Sequence, residues 1–359
     1  MGNSNQMTRK SSILIQITAV LLLLNACSPA ASAVTKSNPV ITAAATIQTT
    51  NKPAPSQTVT PNISPTVAEP GFCPQSAISD SNTLIIGYIP DYRELDVQWG
   101  NCLTDIIYSS VDFLPDGNLE LEKINASILT TMQEMKQKYG TRIHISVGGM
   151  NRSANFSAVV TDDQNRDRFV KNLIQFADEY NLDGIDLDWE FPVTQAEIRG
   201  YAITMSALQK MGMIVSVALY PYEDINVKPY LTADRLLIMS YERARKHSTY
   251  NQAVKDLVYF STLGAPKEKI FLGIPMYGRQ MESPYHFLAY AEIVTKYSPL
   301  PEHVDEMDGI FFNGIKTVQQ KTCYVIKNGY GGVMLWELGQ DNGDLLKTIH
   351  QVVVSGCNK

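Results

Sequence analysis

Basic runs, membrane-length apolar stretches and clustered metal ligands are all missing from this chain. It carries 30 Lys and Arg against 36 Asp and Glu, a net charge of −6, and no basic run stands out. Neutralising phosphates needs a basic face, so nucleic acid is not expected as a partner. The apolar fraction, 44%, is ordinary for a globular chain and too low for a multi-span membrane protein. Five cysteines and five histidines are scattered without a Cys-x-x-Cys or comparable ligand spacing. Neither a metal site nor a cofactor is therefore expected. No Gly-x-Gly-x-x-Gly turn follows the first apolar run, which argues against a dinucleotide-binding open sheet.

What is there begins with a leader. Arg9 and Lys10 precede an apolar run over 13–24, short for a bilayer span and suited to the core of a secretory signal. The run ends in Leu24-Asn25-Ala26-Cys27, which resembles the lipobox of bacterial lipoproteins, where the cysteine is acylated and becomes the first residue. The expectation is a signal peptide over 1–27 and export to the bacterial cell envelope, with membrane attachment through lipidated Cys27. Cleavage after Ala31-Ser32-Ala33 would instead release a soluble secreted protein starting at Val34. Residues 28–72 are mostly Ser, Thr, Ala and Pro and cannot bury enough apolar surface to offset ordering entropy, so they read as a flexible linker. Four cysteines remain beyond Cys27, an even number that in an exported chain suggests disulfides in one of three pairings. The first choice is Cys73–Cys102, ahead of the first two strands, and Cys323–Cys357, with Cys357 following the last helix, which packs beside the helix carrying Cys323.

From residue 73 onward the pattern changes to eight apolar, β-rich runs: 84–90, 105–113, 142–149, 184–191, 213–220, 235–241, 270–277 and 331–338. Several are almost continuously hydrophobic, as strands covered on both faces must be. Helical patterns lie between them; Phe169, Leu173, Phe176, Ala177 and Tyr180 recur at spacings of three and four. Eight β/α alternations over 73–359 predict one (β/α)8 barrel of the TIM type, with a doubly wound open sheet as the alternative. The gap between Tyr277 and Gly331 is too short for an α+β insertion domain. In such a barrel, chemistry gathers at the C-terminal ends of the strands.

The fourth run reads Asp183-Gly184-Ile185-Asp186-Leu187-Asp188-Trp189-Glu190-Phe191. Strand periodicity puts Asp186, Asp188 and Glu190 on one face and Ile185, Leu187 and Trp189 on the other. In a barrel the acidic face looks inward and Trp189 packs against helices. Buried like charges are costly and push at least one pKa upward, which suits Glu190, nearest the mouth, to act as an acid. His144 and Trp99 are read as structural.

This stretch resembles the D-G-x-D-x-D-x-E signature of family 18 glycoside hydrolases, the chitinases and their relatives. Ser146-Val147-Gly148-Gly149 resembles that family's S-x-G-G motif. Pro275-Met276-Tyr277-Gly278-Arg279 is similar to its P-x-Y-G-R segment, and Gly331 through Glu337 to its G-G-V-M-x-W-E strand. The resemblance implies a retaining hydrolase of β-1,4-linked N-acetylglucosamine glycans, chitin or chitooligosaccharides, in which the substrate's own acetamide is the nucleophile. It implies Glu190 as general acid and base, Asp188 orienting the acetamide, Asp186 sharing a proton with Asp188, and Tyr241 bonding the acetamide oxygen. Trp336, Tyr88, Phe113 and Met239 would line the sugar pocket; Gly148 and Gly149 would allow close approach, and Glu242, Tyr277 and Arg279 would contact substrate. The family usually has Asp or Asn where this chain has Glu242, which bears on substrate preference. Related readings are an endo-β-N-acetylglucosaminidase acting on peptidoglycan or N-glycans, and a non-catalytic carbohydrate-binding scaffold. A monomer is expected, and one platform tryptophan argues against processive attack on crystalline chitin.

Overall fold

The computed structural model describes Cys73 and residues 82–221 and 225–357. The signal peptide, Cys27, the alternative start at Val34 and the linker to residue 72 lie outside the described residues.

Eight parallel strands close on themselves. In chain order they are β1 (Leu84–Pro90), β2 (Asp105–Phe113), β3 (Arg142–Gly148), β4 (Gly184–Asp188), β5 (Ile214–Leu219), β6 (Arg235–Ile238), β7 (Ile270–Pro275) and β8 (Gly332–Trp336). Each pairs with its sequence neighbours, and β1 joins both β2 and β8, which leaves no edge. Five of the seven crossovers carry long α-helices among the described residues, α1 (Ala126–Tyr139), α2 (Asp163–Tyr180), α3 (Gln195–Lys210), α4 (Tyr250–Thr262) and α5 (Ile315–Lys327), and α6 (Asp344–Ser355) follows the last strand. The links after β1 and β5 use the 3₁₀ turns Val97–Cys102 and Lys228–Thr232 instead. The fold is a (β/α)8 barrel, as the eight apolar runs predict. Between β7 and α5 lies a small antiparallel sheet of four two- or three-residue strands with the helix Tyr290–Lys296, an elaborated loop rather than a separate domain.

The helices follow their sequence signals. Thr194 caps α3 and Glu197 reaches back to the Thr194 amide, a reciprocal capping box. Asp162 caps α2 by accepting from the Asn165 amide, and its inner stripe buries Phe169, Leu173, Phe176 and Ala177. The outer core between strands and helices includes Trp189, which stacks on Phe156 with ring centroids 5.1 Å apart. The barrel interior is filled separately by Ile86, Ile107, Leu237, Phe271 and Met334 below Tyr88, Met239 and Tyr241.

The closed end of the barrel is held by charge. Asp105 is fully buried and accepts hydrogen bonds from Arg142, Arg235, His144 and Thr104. Burial alone would raise its pKa, but the bonds from Arg142 and His144 and the charge of Arg235 outweigh that and hold it well below the usual carboxylate range. His144 is thus a satisfied structural residue.

Of the two expected bridges, Cys73–Cys102 is formed, with Cα atoms 5.6 Å apart. The Cys323–Cys357 expectation is corrected: both are free thiols. The packing of α5 against α6 does bring them together, and burial, with the neighbouring Cys357 thiol, pushes Cys323 up to about 12.

Candidate active site

Parallel register builds the base of the site. Asp186 on β4 stands level with Ser146 on β3 and Ser216 on β5, and Asp188 stands level with Gly148. Alternation turns Asp186 and Asp188 into the barrel, where their exposures are 0% and 6%. Ser146 and Tyr88 donate to Asp186 Oδ2, each at 2.8 Å, and Ser216 donates to Oδ1 at 2.6 Å. Burial raises the Asp186 pKa, and these three hydroxyls counter the rise. Both Asp186 oxygens accept from these hydroxyls, and Asp188 Oδ1 makes no bond to either of them.

Asp188 is treated differently. Its Oδ1 is buried without a hydrogen-bond partner, and burial, Glu190 and Asp186 together raise its pKa well above the usual range. A buried acceptor left open is costly to the fold and suits a donor that arrives with a ligand. Gly149 closes the approach from β3: its amide donates to the Asp188 carbonyl at 2.6 Å, and a side chain there would press on the Asp188 carboxylate. Gly148, at φ 92°, has no room for a Cβ because the Asp188 carbonyl and the Phe156 ring already fill that space. Packing of the strand end therefore requires glycine at 148.

Glu190 follows the end of β4 and is half-buried, its amide donating to Ser153 Oγ at 3.2 Å. Ser153 Oγ in turn donates to the carbonyls of Gly149 and Asp188. Burial and the neighbouring Glu242 carboxylate push Glu190 up to about 7. A carboxyl with that pKa is a proton donor near neutrality.

Glu242 sits at φ 56°, a conformation Asp and Asn adopt more readily than Glu. Its side chain is clamped. Tyr277 donates to Oε1 at 2.8 Å, and Arg279 pairs with Oε2. Its amide donates to His247 Nδ1 at 3.1 Å. Burial, Lys321 and Arg279 push His247 down to about 3, so the ring stays neutral and keeps this acceptor. Tyr241, 7% exposed, lies in the field of all four carboxylates; burial first, then Asp188, Glu190, Glu242 and Asp186, holds its hydroxyl protonated. Half-buried Trp336 meets Tyr88 edge-on, centroids 5.4 Å apart, with Met239 in the same inner cluster.

Phe113 is the residue that the structure moves out of the site. The β2–β3 register shifts between Tyr108 and Val111, an irregularity that places both in the outer core. The alternation is thereby reversed, and Phe113 packs on Phe156 and Phe169, each 4.8 Å away between centroids. Three polar residues that the sequence reading left out belong to the site's support: Ser216, Ser153 and His247. Only Ser216 had a usable signal, a lone serine at an inward position of an apolar strand.

Carboxylates graded from hydroxyl-caged to open to proton-bearing, at the C-terminal mouth of a closed parallel barrel, define a glycosidase of the TIM-barrel class. The chain belongs to the glycosyl hydrolases of family 18, whose model matches residues 84–341. Among curated proteins it is similar to "Probable chitinase 10" of Drosophila melanogaster, 26% identical over 281 residues, covering 57% of this chain and 12% of that protein. "Probable chitinase 2" of the same species is 22% identical over 334 residues, 67% of each chain. The chain thus spans only a small part of the first of these relatives. Among solved structures, the family 18 chitinase of the chitin utilization locus of Flavobacterium johnsoniae matches with a TM-score of 0.67 and 25% identity, covering 77% of this chain and 95% of that one.

Proposed function

We propose that this chain hydrolyses β-1,4-linked N-acetylglucosamine glycans, chitin or chitooligosaccharides, with retention of configuration and by substrate assistance. The observation that carries the reading is the contrast between the two aspartates: both Asp186 oxygens accept from hydroxyls, whereas the Asp188 carboxyl has an unpartnered Oδ1 and is the group left for a ligand N–H. An acetamide N–H donating there would aim its carbonyl oxygen at the anomeric carbon, while protonated Glu190 delivers its proton to the leaving oxygen. The C1–O bond breaks as the carbonyl oxygen bonds to C1, giving an oxazolinium ion whose positive charge favours the ionised form of Asp188, against the rise that burial and its carboxylate neighbours impose. Glu190, now a carboxylate, takes a proton from water as that water opens the ring. Tyr241 would hold the acetamide oxygen and Trp336 would floor the sugar.

Two inversions at one carbon retain the β configuration. The test is NMR of the first products from a chitooligosaccharide, together with cellooligosaccharides and fully deacetylated chitosan as controls. Glu190→Gln should lower kcat by about 10²–10⁴-fold, and Asp188→Asn should be similarly severe. An initial α-anomer, or efficient cleavage of the controls, would overturn substrate assistance.

A further inference from the structure

A buried cation that the proposed chemistry does not use lies behind the loop carrying Tyr241 and Glu242. Lys321, on α5, is 1% exposed. Its ammonium donates to Ser248 Oγ at 2.7 Å, to the Ser248 carbonyl at 3.2 Å and to Asn313 Oδ1 at 2.6 Å, all neutral oxygens. Asp305 and Asp256 act on it only at longer range, and burial lowers its pKa to about 7. Desolvating an ammonium for three neutral acceptors is an expensive way to fill space, since methionine would fill it as well without a charge.

The bonds beyond Lys321 lead to one segment. Ser248 Oγ passes a hydrogen bond to the Ser240 carbonyl at 2.7 Å, and the Asn313 amide donates to the Ser248 carbonyl. Ser240 Oγ is fixed in turn by Asp256 at 2.7 Å. Both ends of the loop 240–248 are therefore tied at one point. Across its waist the Arg243 amide donates to the His247 carbonyl at 3.0 Å, and the Glu242 amide donates to the His247 ring. The loop's two exported products are the Tyr241 ring and the Glu242 carboxylate, the latter being the charge that faces Glu190.

We propose that Lys321, through Ser248 and Asn313, is a positioning residue that locks the loop 240–248 and so fixes Glu242 against Glu190. The proposal rests on the hydrolytic reading for its effect on catalysis but not for the lock itself. The test therefore has two arms on the full-length protein. In the first, hydrogen exchange read by mass spectrometry should show Lys321→Met speeding exchange of the Glu242 and Arg243 amides at least tenfold, with β3 and β4 within twofold. Unchanged exchange over 240–248, or an equal rise across the barrel, would overturn the lock. In the second arm, Lys321→Met should lower kcat/KM on a chromogenic chitobioside tenfold or more beside Glu242, and less than twofold in a Glu242→Gln background. Equal losses in both backgrounds would mean that the lysine acts independently of Glu242, and would sink the positioning role. If Lys321→Met does not fold, Ser248→Ala, which cuts the link to Ser240, is read in the same two ways. A wild-type protein inert on every N-acetylglucosamine substrate defeats the hydrolytic reading, and the exchange arm still decides the lock.

Discussion

Glu190 shows a single residue set by opposing demands. Its carboxyl is pushed up to about 7 by burial and by Glu242, against an ordinary value of 4.5. As an acid it works only when protonated, so kcat/KM should fall as pH rises through about 7; a pH–rate profile checks this. The linkage runs the same way. Between about pH 4.5 and 7 the folded state holds a proton that the unfolded chain has released, so stability declines as pH rises through that window. Glu190→Gln removes this penalty and should therefore be more stable than wild type near neutrality by roughly 1–3 kcal/mol. Urea unfolding of both proteins at pH 5 and pH 7 reads the difference, which should shrink at the lower pH. A gain equal at both would dissociate the stability effect from the titration of this group.

Among the elements, β2 changes the assignment of a residue. An apolar aromatic at the end of a barrel strand reads as a pocket residue if the strand alternates without interruption. The register shift between Tyr108 and Val111 reverses that alternation and sends Phe113 into the outer core. Phe113→Ala should consequently behave as a core deletion, costing about 3–5 kcal/mol of stability. KM for a chitooligosaccharide, measured well below the unfolding temperature, should stay within about twofold of wild type. A tenfold rise in KM with unchanged stability would return Phe113 to the pocket.

For the whole molecule, closure of the barrel removes sheet edges, and Cys73–Cys102 ties the segment before β1 to the turn before β2. The bridge closes a loop of 29 residues, for which the chain-entropy estimate is about 3–4 kcal/mol. Replacing both cysteines by serine should lower unfolding free energy by that amount, whereas replacing Cys323 and Cys357 should cost under about 1 kcal/mol. Denaturant titrations of the two double variants make the comparison. Equal losses would mean that the second pair also bonds in the native protein.

The chain's own pattern determined much of this. Eight apolar runs spaced by amphipathic stretches determine a parallel barrel because strands buried on both faces have few other packings. An Asp-x-Asp-x-Glu alternation on one such strand places three carboxylates inside or just above the barrel, because the side-chain period of a strand is two. Local rules also sufficed for Trp189 and for the caps of α2 and α3. What the tertiary structure alone decided are relations between strands and helices distant in sequence. Register brings Ser146, Ser216 and Tyr88 around Asp186 and leaves Asp188 open, and no periodicity within β4 distinguishes those two aspartates. A shift in pairing, invisible in the apolar pattern of β2, displaces Phe113. Lys321 lies 73 residues from the Ser248 that it holds, and in sequence it resembles any helix-surface lysine. Burial is what separates it from the rest, and burial is a property of the assembled fold.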